Sequence, residues 1–305
     1  MIGKICGTGS GIPVKIMDND DLSNMVDTND AWIRERTGVE KRHIAESEST
    51  VSMAVEAGRR ALAQTGIRPE ELDMIVVSTM SPDAVLPCTA CEVQKAIGAE
   101  GAVCFDLQAA CTGFIFAYNT AQAYIQSNMC RTVLLIGSER LSRLVDWTDR
   151  GTCILFGDGA GAAVLKAEEG RAYLPVSHSD GKKGEALTCD RYIHMDGRAV
   201  FQFAVTRVPE VIREVLTKNE LLMDDIDYFV LHQANRRIVE AVAKRLRQPI
   251  EKFPMNLQEY GNTSSASIPI LLDEMNRSGK LKKGQKLVVA GFGAGLSWGA
   301  SIVEW

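Results

Sequence analysis

The sequence predicts an α/β fold assembled from two similar halves. Short apolar, β-branched runs alternate with amphipathic segments, the pattern of parallel strands covered by helices on both faces. Three segments of the first half also recur in order in the second. LDMIVVSTMSP (72–82) resembles IDYFVLHQANR (226–236), LQAACTG (107–113) resembles LQEYGNT (257–263), and FGDGAGAAVL (156–165) resembles FGAGLSWGASIV (292–303). The offsets differ, so the halves carry insertions of different length. The boundary falls near Glu168-Glu169-Gly170, giving halves 1–168 and 169–305. The chain of 305 residues is 46% hydrophobic and 24% charged, which excludes disordered and fibrous classes.

Each element follows from its pattern. In the first half, 53–64 reads as a helix and 73–78 (DMIVVS) as a buried strand. A helix over 87–97 takes Pro87 in its first turn. A strand at 103–107, a helix at 114–125 and a strand at 132–137 (TVLLIG) follow. Strands at 152–156 and 162–166 pair around the turn Gly157-Asp158-Gly159. The second half repeats the order: helix 205–217, strand 226–231, helix 235–247, a helix through 271–276, and closing strands 287–290 and 300–303. Gly7-Thr-Gly9-Ser-Gly11 reads as a structural turn after a strand, because no helix and acidic residue follow to make a dinucleotide site.

Charge and composition narrow the partners. The net charge is −5, with no global basic signature of nucleic-acid binding. Residues 1–11 form no signal-peptide core, and the uncharged stretch 107–130 holds too many amides and hydroxyls for a membrane span. A soluble, cytoplasmic protein is expected. Its eight cysteines are then reduced thiols. Cys88 and Cys91 form a CxxC, but no second pair or clustered histidines complete a metal site, so no metal is expected.

Three residues could carry chemistry. Cys111 lies where a strand turns into a helix, and free N–H groups there favour a thiolate and can hold an oxyanion. His232 directly follows the strand IDYFVL, at the strand end where α/β sheets bind ligands. Asn262 lies in YGNTSSAS, which matches the segment around Cys111. A thiolate accepts an acyl group from a thioester. Imidazole and amide N–H groups aimed at one oxygen stabilise an enolate, which suits decarboxylation of a malonyl thioester. Cysteine, histidine and asparagine also serve papain-like hydrolases, so residue type alone leaves the reaction open.

Longer motifs decide it. DTNDAWIRERTGVEKRHIA (27–45), FDLQAACTGF (105–114), DRGTCILFGDGAGAAVL (149–165), MDGRAVFQFAV (195–205), HQANRRI (232–238), GNTSSASIP (261–269) and GFGAGLSWG (291–299) run from end to end. The chain resembles the β-ketoacyl-acyl carrier protein synthase III family within the thiolase-like superfamily. The resemblance implies a five-layered α-β-α-β-α fold from two βαβαβαββ halves, and a homodimer. It implies that a short acyl-CoA loads Cys111 and condenses with malonyl-acyl carrier protein, releasing CO2 and coenzyme A. No cofactor or metal is implied.

The family pattern also assigns positions. Cys111 is the nucleophile, and His232 and Asn262 are the decarboxylating pair. Trp32 and Arg150 match an adenine sandwich, Thr28 a hydrogen bond to adenine, and Arg36 a phosphate contact. Gly197 and Asn235 match the pantetheine arm. Gln233, Ala234, Asn235, Arg236 and Arg237 match the carrier-protein contact, on a helix that also bears Lys244, Arg245 and Arg247 against the single acid Glu240. Such a basic face would steer an acidic carrier protein. Two positions depart from the pattern. Ala294 replaces the middle of three glycines at the oxyanion site, and Leu86 replaces a pocket-closing phenylalanine offered by the neighbouring subunit. The 187–194 segment is shorter than usual, which alters the pocket rim. The rival expectations are a synthase III-like enzyme of a specialised-metabolite pathway, a silent CoA- or carrier-binding module, and a cysteine hydrolase.

Overall fold

A computed structural model describes residues 1–305. The chain begins with β1 (Ile2–Gly11), β2 (Ile16–Asp18), α1 (Asn19–Ser23), α2 (Asp30–Thr37), β3 (Lys41–His43) and α3 (Thr50–Ala63). It continues through β4 (Met74–Ser78), α4 (Thr89–Ile97), β5 (Val103–Leu107), α5 (Gly113–Gln126), β6 (Thr132–Glu139) and β7 (Gly159–Glu168). Next come β8 (Val176–Ser179), β9 (Leu187–Cys189), β10 (Ile193–Met195), α6 (Gly197–Lys218), β11 (Tyr228–Leu231) and α7 (Arg236–Leu246). Closing the chain are α8 (Leu257–Tyr260), α9 (Ser267–Arg277), β12 (Lys286–Gly293) and β13 (Ser297–Glu304).

Two sheets of related order, β1-β7-β6-β4-β5 and β8-β13-β12-β11, form two of five layers. Helices α5 and α9 fill the space between them, sharing one core with Val133 and Leu135 of β6 and Val289 of β12. Helices α3 and α4 cover the outside of the first sheet, and α6 and α7 the outside of the second. Each middle helix is buried on both sides, which accounts for their uncharged first turns.

The duplication is more regular than the sequence suggests. Met74 and Tyr228, Gly113 and Ser267, and Thr132 and Lys286 open equivalent elements, each pair 154 positions apart. The 3-10 turns before the middle helices, Ala110–Thr112 and Ser264–Ala266, keep the same spacing and share positive φ values of 45° at Ala110 and 48° at Ser264. The match of 107–113 with 257–263 is therefore one helical turn out of register. Leu107 ends a strand, whereas Leu257 opens α8. The second sheet has four strands to the first sheet's five, with no strand in the place of β5.

Three further expectations change. Residues 152–156 form turns rather than a strand, touching the sheet chain only through a bridge from Phe156 to Asn262, and β7 pairs instead with β1 and β6. Pro87 precedes α4, whose cap is Cys88. The glycines of 7–11 lie within β1. Alternate residues of a strand share one face, and here that face meets α3. A Cβ on Gly7, Gly9 or Gly11 would strike the carbonyl oxygens of Ala61, Ala57 and Met53, successive turns of the helix. The glycines let strand and helix backbones touch. The sheets are mixed: β4 pairs in parallel with β5 and β6, and β11 with β12, while the other sheet pairings are antiparallel. No helix is long and apolar enough to cross a membrane.

Candidate active site

A cavity of about 390 Å³ opens between the halves, and Cys111, His232 and Asn262 all line it. Each comes from a chain reversal after a sheet or helix. Cys111 sits in the 3-10 turn joining β5 to α5, His232 follows β11, and Asn262 lies between α8 and the 3-10 turn before α9. Equivalent reversals of the two halves meet here, so the pseudo-symmetry itself assembles the site.

The Cys111 thiol is buried, and its surroundings do not make it a resting thiolate. Burial pushes its pKa up to about 12, partly offset by the Ser264 hydroxyl and its own backbone N–H, while the nearby Glu139 carboxylate adds to the rise. The expected lowering at a helix start is outweighed by desolvation. Outside helices and strands, no main-chain carbonyl accepts from the backbone N–H of Cys111 or of Ala294. Both residues line the cavity, two free donors for an oxyanion. Ala294 has no positive φ, so its methyl group costs no backbone strain. Gly293 is constrained instead: a Cβ there would lie 2.8 Å from the Cys111 nitrogen.

His232 and Asn262 are each anchored by their accepting atom. Nδ1 of His232 lies 2.7 Å from the Ser267 hydroxyl, and the Gln233 backbone N–H donates to that same oxygen at 3.3 Å. Where the Ser267 hydroxyl donates to Nδ1, the ring proton sits on Nε2. Burial lowers the imidazole pKa to about 3, so the ring is neutral. The Asn262 Oδ1 accepts from the Ser264 N–H at 2.8 Å, which fixes the amide so that its NH2 is the free end. Main-chain bonds from Asn262 N to Leu155 O (2.8 Å) and from Gly157 N to Asn262 O (3.0 Å) hold this residue in place. Two neutral N–H donors result, with their acceptors already used.

The other positions divide. Trp32, Arg36, Gly197, Ala234, Asn235 and Ala294 line the cavity, as do Leu187, Thr188 and Cys189 of the β9–β10 hairpin. Arg36 and Arg150 lie against the Trp32 ring, 4.6 and 4.9 Å from its centroid. A base between Trp32 and Arg150 needs about 7 Å, two van der Waals contacts of about 3.5 Å, so Arg150 must swing out by roughly 2 Å. It is held by the Asp27 carbonyl at 2.8 Å. The Thr28 hydroxyl is buried without a partner. Asn235 caps α7, accepting from Arg237 N and donating to the Arg36 carbonyl.

Gln233 requires correction as a carrier-protein contact. It is 1% exposed, and its amide bonds the Leu231 and Pro254 carbonyls and the Asn256 N–H, a clamp inside the fold. Arg236 and Arg237 are exposed on α7, as are Lys244 and Arg245. Leu86 is 82% exposed and lies outside this chain's own cavity. Sequence reasoning missed Ser264, Ser267 and Glu139. The signal for Glu139 was a carboxylate ending the apolar strand TVLLIGSE, while the serines looked like helix caps. No cluster of His, Cys, Asp and Glu is grouped to hold a metal ion.

Residues 105–181 match the family described as 3-oxoacyl-[acyl-carrier-protein (ACP)] synthase III, and residues 216–305 its C-terminal family. The β-ketoacyl-[acyl-carrier-protein] synthase III of Clostridium novyi is 47% identical over 319 residues, spanning 99% of this chain and 98% of its own. The crystal structure of the 3-oxoacyl-[acyl-carrier-protein] synthase III from Aquifex aeolicus is similar at TM-score 0.97 and 44% identity, covering 99% of this chain and 100% of that one. The corresponding Pseudomonas aeruginosa structure matches at TM-score 0.96 and 39% identity, covering 100% and 98%.

Proposed function

The chain belongs to the β-ketoacyl-[acyl-carrier-protein] synthase III family, condensing acyltransferases that initiate fatty-acid synthesis, and on that premise we propose how its residues divide the reaction. Cys111 attacks the thioester of a short acyl-CoA, and the N–H groups of Cys111 and Ala294 hold the tetrahedral oxyanion. Coenzyme A leaves and malonyl-acyl carrier protein enters. Nε2–H of His232 and the Asn262 amide hold the malonyl thioester oxygen while CO2 departs. The resulting carbanion attacks the acyl carbonyl, expels the Cys111 sulfur and gives 3-oxoacyl-acyl carrier protein. No step requires a metal or redox cofactor.

One observation carries this reading: His232 and Asn262 have their accepting atoms occupied and their donating atoms free. A cysteine hydrolase needs a histidine that accepts the thiol proton. With Nδ1 accepting from Ser267, this one is a donor at Nε2, which favours enolate stabilisation.

Trp32, Arg150, Thr28 and Arg36 are assigned to the nucleotide of coenzyme A, and Gly197 and Asn235 to its pantetheine. Arg236 and Arg237, with the basic face of α7, are assigned to the carrier protein. A second copy of the chain is assigned to the side of β5, an edge strand with Val103 60% exposed and, nearby in the chain, Val85 89% and Leu86 82% exposed. We read 1–168 and 169–305 as the duplicated halves, supported by the constant spacing of their elements. A cytoplasmic location accords with eight unpaired thiols.

The test is a panel of acyl-CoAs of graded length with malonyl-acyl carrier protein, read as 3-oxoacyl-carrier product. Product from short primers supports the initiating role. Free acid points to a hydrolase, and acyl transfer without CO2 to a different acyltransferase.

A further inference from the structure

Two buried hydroxyls join the loops that carry the oxyanion donors. Thr112 follows Cys111 and ends the 3-10 turn before α5, and Ser297 opens β13 shortly after Ala294. Their oxygens lie 2.7 Å apart, one from the first half of the chain and one from the second. The Thr112 hydroxyl also lies 2.7 Å from the Ala109 carbonyl, and that of Ser297 3.2 Å from the Ala294 carbonyl. Each hydroxyl has one proton. Either Thr112 donates to Ala109 and Ser297 to Thr112, or Thr112 donates to Ser297 and Ser297 to Ala294. The bond between the two hydroxyls is made in both arrangements. The loops it joins are closely packed: a Cβ on Gly293 would lie 2.8 Å from the Cys111 nitrogen and 3.1 Å from that of Thr112. Elsewhere the β12–β13 hairpin is tied by main-chain bonds between Leu296 and Asp180, at 2.7 and 3.1 Å.

The pseudo-symmetry shows that the turn itself does not need this hydroxyl. The turns Ala110–Thr112 and Ser264–Ala266 are equivalent and share positive φ at Ala110 and Ser264. Both close through the same main-chain bond, Thr112 N to Ala109 O at 3.2 Å and Ala266 N to Thr263 O at 3.0 Å. At the position of Thr112 the second turn has Ala266, which carries no hydroxyl. The backbone of this turn, left-handed residue included, thus forms without one. The hydroxyl stands only in the turn that bears the nucleophile. Resting on the proposed function, we infer that the Thr112–Ser297 hydrogen bond sets the spacing of the Cys111 and Ala294 N–H groups, so that both point at one oxyanion. Such donors act at full strength only when held in place before the charge develops. Neither hydroxyl-bearing residue lines the cavity. Thr112 and Ser297 are positioning residues that act through the two N–H groups.

The experiment compares two reactions of Cys111 in the full-length protein, each followed on the Cys111 peptide by mass spectrometry. In acetylation by p-nitrophenyl acetate the sulfur takes the acetyl group, p-nitrophenolate leaves, and the carbonyl oxygen passes through an oxyanion. In alkylation by iodoacetamide the sulfur displaces iodide and no oxyanion forms. Thr112→Val and Ser297→Ala are expected to slow acetylation about tenfold, less than the about 10²–10³-fold lost with a whole donor, while alkylation keeps its rate. Thr112→Ser and Ser297→Thr, which keep the hydroxyls, are expected to restore acetylation. Using both positions guards against misfolding of either variant. Acetylation at the unaltered rate in Thr112→Val and Ser297→Ala overturns the inference. Equal slowing of both reactions overturns it too, since a merely structural role would disturb the thiol itself, as does slowing that the hydroxyl-bearing variants fail to restore. Acyl-CoA is supplied as donor in parallel. Loading from the ester but from no acyl-CoA, with acetylation still slowed in the variants, would leave the inference standing and remove the condensing role.

Discussion

The Ser267 hydroxyl lies 2.7 Å from Nδ1 of His232, and this contact sets the chemistry of the ring. A buried imidazole without it would share its proton between two tautomers. With it, Nε2 faces the cavity as a donor. Ser267→Ala is expected to slow malonyl decarboxylation about tenfold, the worth of one hydrogen bond of about 1–1.5 kcal/mol. Acyl loading of Cys111 is expected to stay unchanged. Assaying the two half-reactions separately checks this.

Acid tolerance follows from the same burial. The native His232 pKa, lowered to about 3, lies below the ordinary value of 6.5. Decarboxylation is therefore expected to show no inflection near pH 6.5, where an exposed histidine would charge. The sign for stability is the reverse of a salt-bridged histidine. The unfolded chain binds a proton below pH 6.5 that the native ring refuses until about 3, so stability falls as pH drops through that window. Denaturant titrations at several acidic pH values test the direction, with His232→Gln expected to reduce the slope.

Coenzyme recognition makes a prediction that separates binding from turnover. Trp32→Ala is expected to raise KM for acyl-CoA about 10–100-fold, from the about 1–3 kcal/mol of base stacking, with kcat held. Acyl-pantetheine, which lacks adenine, should be used equally well by both proteins. Steady-state kinetics with the two donors decide the point.

The glycine face of β1 predicts a stability effect far from the site. Gly9→Ala places a Cβ on the Ala57 carbonyl, and separating strand from helix is expected to cost about 1–3 kcal/mol. At about 2–4 °C per kcal/mol, thermal unfolding would report it. Gly66→Ala, whose Cβ would meet no atom, serves as a control for φ strain alone, its own φ being 67°.

Much of this was legible in residues and their order. Strand-end positions pointed to Cys111 and His232, and the paired segments pointed to two halves. What stayed hidden depends on contacts between distant segments. Nothing local says that Gly7, Gly9 and Gly11 belong to a strand, because the reason for glycine is the α3 backbone against them. Residues 152–156 have a strand's composition, yet β7 finds a longer partner in β1. Gln233 reads as a surface polar residue beside two arginines, and only the fold shows its amide sealing three main-chain groups. The activating position of Cys111 was visible, but the desolvation that outweighs it was not.

The most direct measurement is time-resolved intact mass of acyl-Cys111 after malonyl-acyl carrier protein is added, in the unaltered protein and in Asn262→Ala. Both should load the acyl group. The unaltered adduct should disappear as product forms, and the variant adduct should persist about 10²–10³-fold longer, the effect of removing one oxyanion donor. Equal rates of disappearance would contradict the assignment of Asn262 and His232 as the decarboxylating pair.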